Sequence, residues 1–426
     1  MTKPIEVAEE TTEVPDAPLR RNRNFQLLWS GSVFSSLSRE MTDLAYPLLI
    51  LALTGSPASA GAFGGVQLLT SLLVGMPVGE MADRFDRRRL LLVANAFRFA
   101  ATASVVLALT TGVLTFAHLL AVAVVVGATE PLGGAARMVL IRSIVPPRRL
   151  TTALTQDEVR THGAALSGPP LGGALFAIAS VVPIVTALVC QALSLLTISL
   201  VRPPRHGRRA APRSDEGDPV LGRMAVGLRV LYQVPTLRHA TLIAGMLNLV
   251  GAPLVLITVV MLEERGTAPG QIGLTVTAMA IGGLAGAALV QPLQRMLRPG
   301  ALMLLSGFAT ALLIAVLPAP LGSWWVAAPL FALGLIGPSI RILVDVLIFR
   351  QVPDEKRGRV IAAFMTILGV GSSAGLFGAG LLLDRLSAVH ATLVLAGLLI
   401  AAMLAALGSR SLRTARWPQD MDAVPS

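Results

Sequence analysis

Apolar residues along the chain fall in long runs, separated by short polar or basic connections. The runs cover residues 25–53, 59–80, 89–111, 115–141, 152–180, 182–201, 238–262, 270–293, 301–317, 324–349, 360–383 and 390–408. About twenty apolar residues are what a helix needs to cross roughly 30 Å of hydrocarbon. Backbone polar groups find no partners in lipid, so a spanning segment must satisfy them internally, as a helix does. The short alternating segments of a membrane barrel are missing. Internal glycine and proline in several runs fit transmembrane helices better than soluble ones. The pattern predicts an all-α integral membrane protein with twelve transmembrane helices.

One connection is long. Its first part, from Arg202 through Pro219, is rich in arginine, proline and aspartate and reads as flexible. Leu221, Met224, Leu228 and Leu231 then recur at helical spacing beside Arg223 and Arg229, which predicts a short helix lying in the interface. A plain linker is the alternative. The chain therefore divides into a cytoplasmic tail (1–24), a six-helix bundle (25–201), a cytoplasmic linker with an interfacial helix (202–236), a second six-helix bundle (237–408) and a cytoplasmic tail (409–426). The first nineteen residues are polar and carry Glu6, Glu9, Glu10, Glu13 and Asp16, so they do not read as a signal peptide.

Composition sharpens this picture. Of 426 residues, 54% are hydrophobic and 14% charged, with a net charge of +11. Soluble chains are closer to a quarter charged. The basic excess alone would suggest a nucleic-acid partner, but its placement argues otherwise. With the N-terminus in the cytoplasm, most of the 35 lysines and arginines fall on that side, and the outer loops hold only Arg265 and Arg385. That is the bias that orients membrane helices. A soluble enzyme and a DNA-binding protein are both excluded by this reading. Cys190 is the single cysteine, so no internal disulfide is expected. The histidines show no metal-ligand spacing, and no phosphate-binding G-x-x-x-x-G-K-[ST] loop occurs. No metal and no cofactor are expected, and a monomer is. The near absence of lysine hints at a GC-rich bacterial source, hence a bacterial inner membrane.

The two halves also resemble each other. Gly75 and Gly79 fall on Gly282 and Gly286, Val145-Pro146 on Val352-Pro353, and Gly168 and Gly173 on Gly375 and Gly380. Ala45-Tyr46-Pro47-Leu48 faces Gly251-Ala252-Pro253-Leu254 with nearly the same offset. Six spans per half give both halves one orientation. They would be parallel repeats around a central cavity, an arrangement that can rock.

At this point the chain resembles a major facilitator superfamily transporter. The loop after span two reads Gly79-Glu80-Met81-Ala82-Asp83-Arg84-Phe85-Asp86-Arg87-Arg88-Arg89 and is similar to that superfamily's signature, G-x-x-x-D-R-x-G-R-R. Asp86 stands where glycine is usual, and aspartate tolerates a left-handed turn better than most residues. The opening Asn24-Phe25-Gln26-Leu27-Leu28-Trp29 and the run from Phe349 to Val360 resemble the branch containing macrolide-efflux and enterobactin-exporter-like proteins. The resemblance implies a gating loop at Gly79, Asp83, Arg84, Arg87 and Arg88, with Asp83 meeting span eleven. Span five carries Gly168-Pro169-Pro170-Leu171-Gly172-Gly173, similar to the antiporter motif of drug exporters, with Gly168, Pro169, Gly172 and Gly173 as its marks. Gly282, Gly283 and Gly286 of span eight offer a partner face. Ordinary helix packing is the competing reading for this motif.

Charges within membrane spans are costly and usually functional. Here they are Arg39, Glu40 and Asp43 in span one, Arg98 in span three, Glu130 and Arg137 in span four, and Arg341 and Asp345 in span ten. Asp157, Glu158 and Arg160 sit near the start of span five. Arg39–Asp43 and Arg341–Asp345 are spaced i, i+4, so each pair can neutralise itself on one helix face. Glu130 has no basic residue one turn away. It needs a partner on another helix, such as Arg98 or Arg137, or a proton. Glu40 lies off the Arg39–Asp43 face and reads as unattended too. Glu130, Asp43 and Glu40 are thus the candidates for proton coupling, with structural ion pairs as the alternative for each. Phe34, Tyr46, Gln67 and Asn248 are candidates to line a substrate cavity, or to serve in packing. The expected function is export of a small organic molecule (a drug, siderophore or other secondary metabolite) in exchange for protons. A proton-coupled importer on the same fold, or a non-transport membrane protein, remains open at this point.

Overall fold

The computed structural model describes residues 18–78, 86–202 and 220–408. Among them the chain is built of helices joined by short turns. In the N-terminal half these are α1 (Arg23–Thr54), α2 (Pro57–Gly75), α3 (Arg87–Thr110), α4 (Phe116–Ile144), α5 (Leu150–Ile178) and α6 (Val182–Ser199). Then come α7 (Val220–Gln233), α8 (Pro235–Gly251) and α9 (Leu254–Glu264). The C-terminal half continues with α10 (Pro269–Met296), α11 (Pro299–Val316), α12 (Ala327–Gln351), α13 (Asp354–Arg385) and α14 (Ala388–Leu407). Ten helical segments among the described residues are long and apolar enough to cross a membrane, counting α8 and α9 as one. The twelve expected from the sequence require α1 and α5 as well. These are 32 and 29 residues long, and both carry the intramembrane charges that lower their apolar average.

Local chemistry sets the helix ends. Asn22, Ser56, Asp86, Thr115 and Ser387 accept a hydrogen bond from a backbone N–H in the first turn of the helix each precedes. Asp86 does so at φ −62°, in extended backbone, and not in the left-handed turn its place in the loop signature suggested. Gly55 closes α1 at φ +64°, its N–H reaching the Leu51 carbonyl at 2.8 Å; this is the left-handed cap that glycine adopts without penalty.

The repeat-related prolines behave differently. Pro47 stays inside a continuous α1, whereas Gly251-Ala252-Pro253 breaks the matching span into α8 and α9. Proline removes a helix hydrogen bond in both places, and the glycine at 251 adds backbone freedom that Ala45 lacks.

The basic ends of α1, α4 and α6 are tied together. Asn22 Nδ2 donates to the Ile144 carbonyl at 2.8 Å, and Asn24 Nδ2 to the Arg202 carbonyl at 2.8 Å. Phe25, Leu28, Leu140, Ile144 and Ile198 form a compact cluster there. A larger core runs through both halves, from Leu44 and Ile50 to Ile257, Leu343 and Leu399.

The halves meet on the opposite, far side along two seams. In the first, α2 packs on α13. Ser56 Oγ donates to Asp384 at 2.7 Å and Ser373 Oγ to the Gly65 carbonyl at 2.8 Å, while Gly380 faces Gly61 backbone to backbone. In the second, α5 packs on α10, with Gly173 against the Pro269 carbonyl and Gly273 against that of Pro169. Gly173 and Gly380, matched by the internal repeat, thus occupy equivalent places in the two seams.

A short helix is present in the long connection as α7. It lies against α13 and α8, and Gly227 sits so close to the Arg359 carbonyl that a Cβ there would overlap it. Gly227→Leu should lift α7 from α13. The expected result is a melting temperature several degrees lower for the detergent-solubilised protein; an unchanged value would mean that this contact contributes nothing.

Candidate transport site

The intramembrane charges expected from the sequence converge in the N-terminal half, around a cavity of about 280 Å³. Arg39 on α1, Arg98 on α3, Glu130 and Arg137 on α4, and Arg160 on α5 all line it. The pairing differs from the sequence expectation. Arg39 does not turn down its own helix to Asp43. Its Nη1 reaches Glu130 across the bundle at 2.6 Å, and its Nη2 reaches Glu40 at 2.7 Å. Glu130 therefore has its partner on another helix, and that partner is Arg39, not Arg98 or Arg137. Glu40 is attended by its sequence neighbour. Asp43, the third carboxylate of this group, makes no hydrogen bond or ion pair among the described residues; it is exposed while Met41, Thr42, Leu44, Ala45 and Tyr46 around it are buried. Residue spacing alone could not decide this, because a guanidinium at i also reaches a neighbouring helix.

A second ionic group lies toward the basic side. Arg160 is 1% exposed in its side chain and donates to Asp157 at 2.9 Å. It also donates to the Ser32 carbonyl at 3.2 Å, to Thr161 at 3.1 Å and to the Ser36 hydroxyl. Arg137 approaches the other oxygen of Asp157 at 3.4 Å. Asp157 thus joins α4 to α5, and Arg160 joins α5 to α1. The sequence placed Asp157 and Arg160 near the start of span five without assigning them a site, and offered Arg137 as a partner for Glu130. The serines facing Arg160, at 32 and 36 on one face of α1, were the available signal. Removing one member of a buried ion pair leaves the other charge uncompensated, at a cost of about 3–5 kcal/mol. Arg160→Met is therefore expected to lower stability by about 3 kcal/mol, read as loss of folded protein on heating in detergent.

Arg98 lines the cavity with no direct partner among the described residues, and its Nε is buried without a hydrogen bond. Arg341 and Asp345 of α12 make no ion pair with each other, in contrast to the self-neutralised pair expected. Arg341 is exposed and Asp345 partly buried. Among the substrate candidates, Asn248 lines a second cavity, in the C-terminal half. Phe34, Tyr46 and Gln67 line neither cavity: Tyr46 stacks on Phe63 at 4.9 Å, and the Gln67 carbonyl lies against Gly127. Gly79, Asp83 and Arg84 lie outside the described residues. Of the remaining loop residues, Arg87 is exposed and Arg88 donates to the Ser199 carbonyl.

The span-five motif has two faces. Gly168 abuts the Cβ of Glu40, and a Cβ on Gly172 would lie 2.8 Å from the Met41 carbonyl. Gly173 and Pro169 form the far-side seam with α10. The partner on α10 is thus Pro269 and Gly273. Gly282 and Gly286, the face expected from the sequence, pack instead on Phe331 and Leu335 of α12.

Two bundles of matching helix order, joined at glycine-lined seams and holding ionisable side chains within the hydrocarbon, define a membrane transporter. The chain belongs to the transmembrane secretion effector family of the major facilitator superfamily, whose model matches residues 14–424. It is similar to the multidrug efflux pump Tap of Mycolicibacterium fortuitum, 27% identical over 383 residues, 86% of this chain and 90% of that one. The multidrug efflux pump Tap of Mycobacterium tuberculosis H37Rv is 25% identical, covering 86% and 88% of the two chains. The enterobactin exporter EntS of Citrobacter koseri is 25% identical over 406 residues, 91% and 94% of the two chains. In fold, the chain resembles a bacterial homologue of the human lysosomal transporter Spinster, at a TM-score of 0.73 and 16% identity, covering 94% and 99% of the two chains. The nucleoside transporter NupG gives a TM-score of 0.74 at 12% identity, covering 92% of this chain and 100% of that one. The family and these relatives are small-molecule membrane transporters, and the sequence relatives are efflux proteins.

Proposed function

We propose that the protein is a secondary exporter that moves a small organic molecule out of the cell in exchange for protons. The observation that carries this reading is the shared guanidinium: Arg39 holds Glu130 and Glu40 at once, with Asp43 unpaired beside them. A proton on either bound carboxylate removes that partner and leaves Arg39 to the other. The same rearrangement has a mechanical outlet. Glu40 lies against Gly168 of α5, and α5 carries Gly173 in the far-side seam. A packed path therefore runs from the carboxylates to the surface that must part for release. In this reading all twelve helices span a bacterial inner membrane and the monomer is the working unit. The basic side with both termini is cytoplasmic, following the charge bias. The far-closed seams then correspond to a state that loads from the cytoplasm. Asp83 of the signature loop, with the arginines after it, would steady the opposite state.

Efflux by the relatives disfavours the importer alternative. The experiment is accumulation in cells lacking the gene and in cells expressing it, using enterobactin and a panel of antibiotics as probes. Expression should lower accumulation of at least one probe, and a protonophore should abolish the difference. Raised accumulation would establish import, and protonophore-insensitive efflux would exclude proton exchange.

A further inference from the structure

The C-terminal half holds a cavity of about 420 Å³ between α8, the start of α9, α10, α11, α12 and α13. Its chemistry is unlike that of the N-terminal cavity. The walls are chiefly apolar, with Leu333, Phe364, Met365, Leu368 and Met279 among them. Methionine and leucine side chains repack at little cost, so such walls accept bodies of differing shape.

The polar groups are few and mostly donors. Asn248 accepts at Oδ1 from the Ser372 hydroxyl at 3.3 Å and spends one Nδ2 hydrogen on the Ala244 carbonyl at 2.9 Å. Its second Nδ2 hydrogen is uncommitted. Arg341 lines the cavity, is exposed and makes no ion pair among the described residues. A guanidinium offers five N–H donors and no acceptor. No carboxylate lines this cavity among the described residues, and Asp345, one turn from Arg341, is not part of its wall. In the N-terminal cavity, by contrast, Arg39, Arg137 and Arg160 are already engaged by the protein's own carboxylates, and Arg98, which has no direct partner among the described residues, shares the cavity with Glu130. An acidic ligand there would meet Glu130. In the C-terminal cavity it meets the Arg341 guanidinium and no carboxylate.

We propose that the C-terminal cavity is the specificity pocket: it takes the apolar or aromatic body of the exported molecule, with an acidic oxygen group seated against Arg341 and Asn248. This rests on the export reading and divides the labour between the halves, protons in one and substrate in the other.

Two glycines make the division measurable. Gly337 lines the C-terminal cavity and Gly134 the N-terminal one, and a Cβ at either meets no atom within 4 Å. In a Cys190→Ser background, Gly337→Cys and Gly134→Cys each place one reactive thiol in one cavity. Alkylation by N-ethylmaleimide is followed in the purified full-length protein. The probes are 1-anilinonaphthalene-8-sulfonate, an aromatic anion, and tetraphenylphosphonium, an aromatic cation. The anion should slow alkylation of Gly337→Cys by about tenfold near ten times its dissociation constant. Arg341→Gln should remove that protection, and Arg341→Lys, which keeps the charge, should retain it. Gly134→Cys should react at the same rate with or without the anion. Protection at Gly134→Cys alone, no protection at either site, or full protection in Arg341→Gln would overturn the proposal. Equal protection by the cation would overturn its acidic-group part. The assay involves neither gradient nor transport. Proton-independent efflux would therefore sink the exchange mechanism and leave this result standing, and the reverse also holds.

Discussion

Glu130→Gln is expected to reduce proton-driven transport to the level of vesicles without the protein, while leaving insertion and folding intact. The substitution keeps the side chain's size and one carbonyl oxygen that can accept from Arg39, whose Nη1 lies 2.6 Å from Glu130 in the native protein. What it removes is the exchangeable proton and the charge. Arg39 would remain held by Glu40 at 2.7 Å, so the cluster does not collapse into an unpaired cation. The loss should therefore appear in coupling, not in amount of protein. The measurement is gradient-driven uptake of an identified substrate into inverted vesicles, with the protein quantified on the same membranes. Normal gradient-driven transport by this variant would remove Glu130 from the mechanism and shift attention to Asp43, the carboxylate with no direct partner.

The second large effect should come from the seam between α5 and α10. A side chain at position 173 has nowhere to go: the Pro269 carbonyl blocks the first carbon, and the Cα of Gly273 would stand 3.2 Å from it. Gly173→Leu should hold the far-side ends of the two halves apart, abolish transport and leave the far side open. Ser373 reports on this directly. It is 3% exposed and donates across the other seam to the Gly65 carbonyl at 2.8 Å. Ser373→Cys, in a background lacking Cys190, should react slowly with a membrane-impermeant thiol reagent. Adding Gly173→Leu should accelerate that reaction at least about tenfold, the response to a shift of roughly 1.4 kcal/mol in the open–closed balance. An unchanged rate would mean that the two seams open independently.

These sites differ in how far the sequence disclosed them. The helices were legible because twenty-residue apolar runs leave little freedom, and the α7 helix because leucines at helical spacing sit beside arginines. The repeat was legible through glycines, which the fold then uses at matching places, Gly173 in one seam and Gly380 in the other. The set of intramembrane charges was legible too, since a charge in an apolar run is conspicuous. Their pairing was not. Arg39 sits one turn from Asp43, yet its long side chain finds better geometry with Glu130 on α4 and with Glu40 beside it. Arg160 was placed with Asp157 and Glu158 near the start of span five, and its spacing there named no partner on another helix. Only the fold brings α1's serines over it. The α10 face was misplaced for a related reason. Gly282 and Gly286 look like an interface between halves, and the helix does use them for close packing, but against α12 within its own half.

The central claim is that protons and substrate move in opposite directions through one protein. It is tested most directly with purified protein reconstituted into vesicles whose interior is made acidic, together with a substrate identified from the accumulation assay. The account predicts that substrate enters against its own gradient, that the acidic interior loses protons as it does so, and that an ionophore collapsing the pH difference stops net uptake. Transport that proceeds at the same rate and to the same level without a pH difference would contradict it.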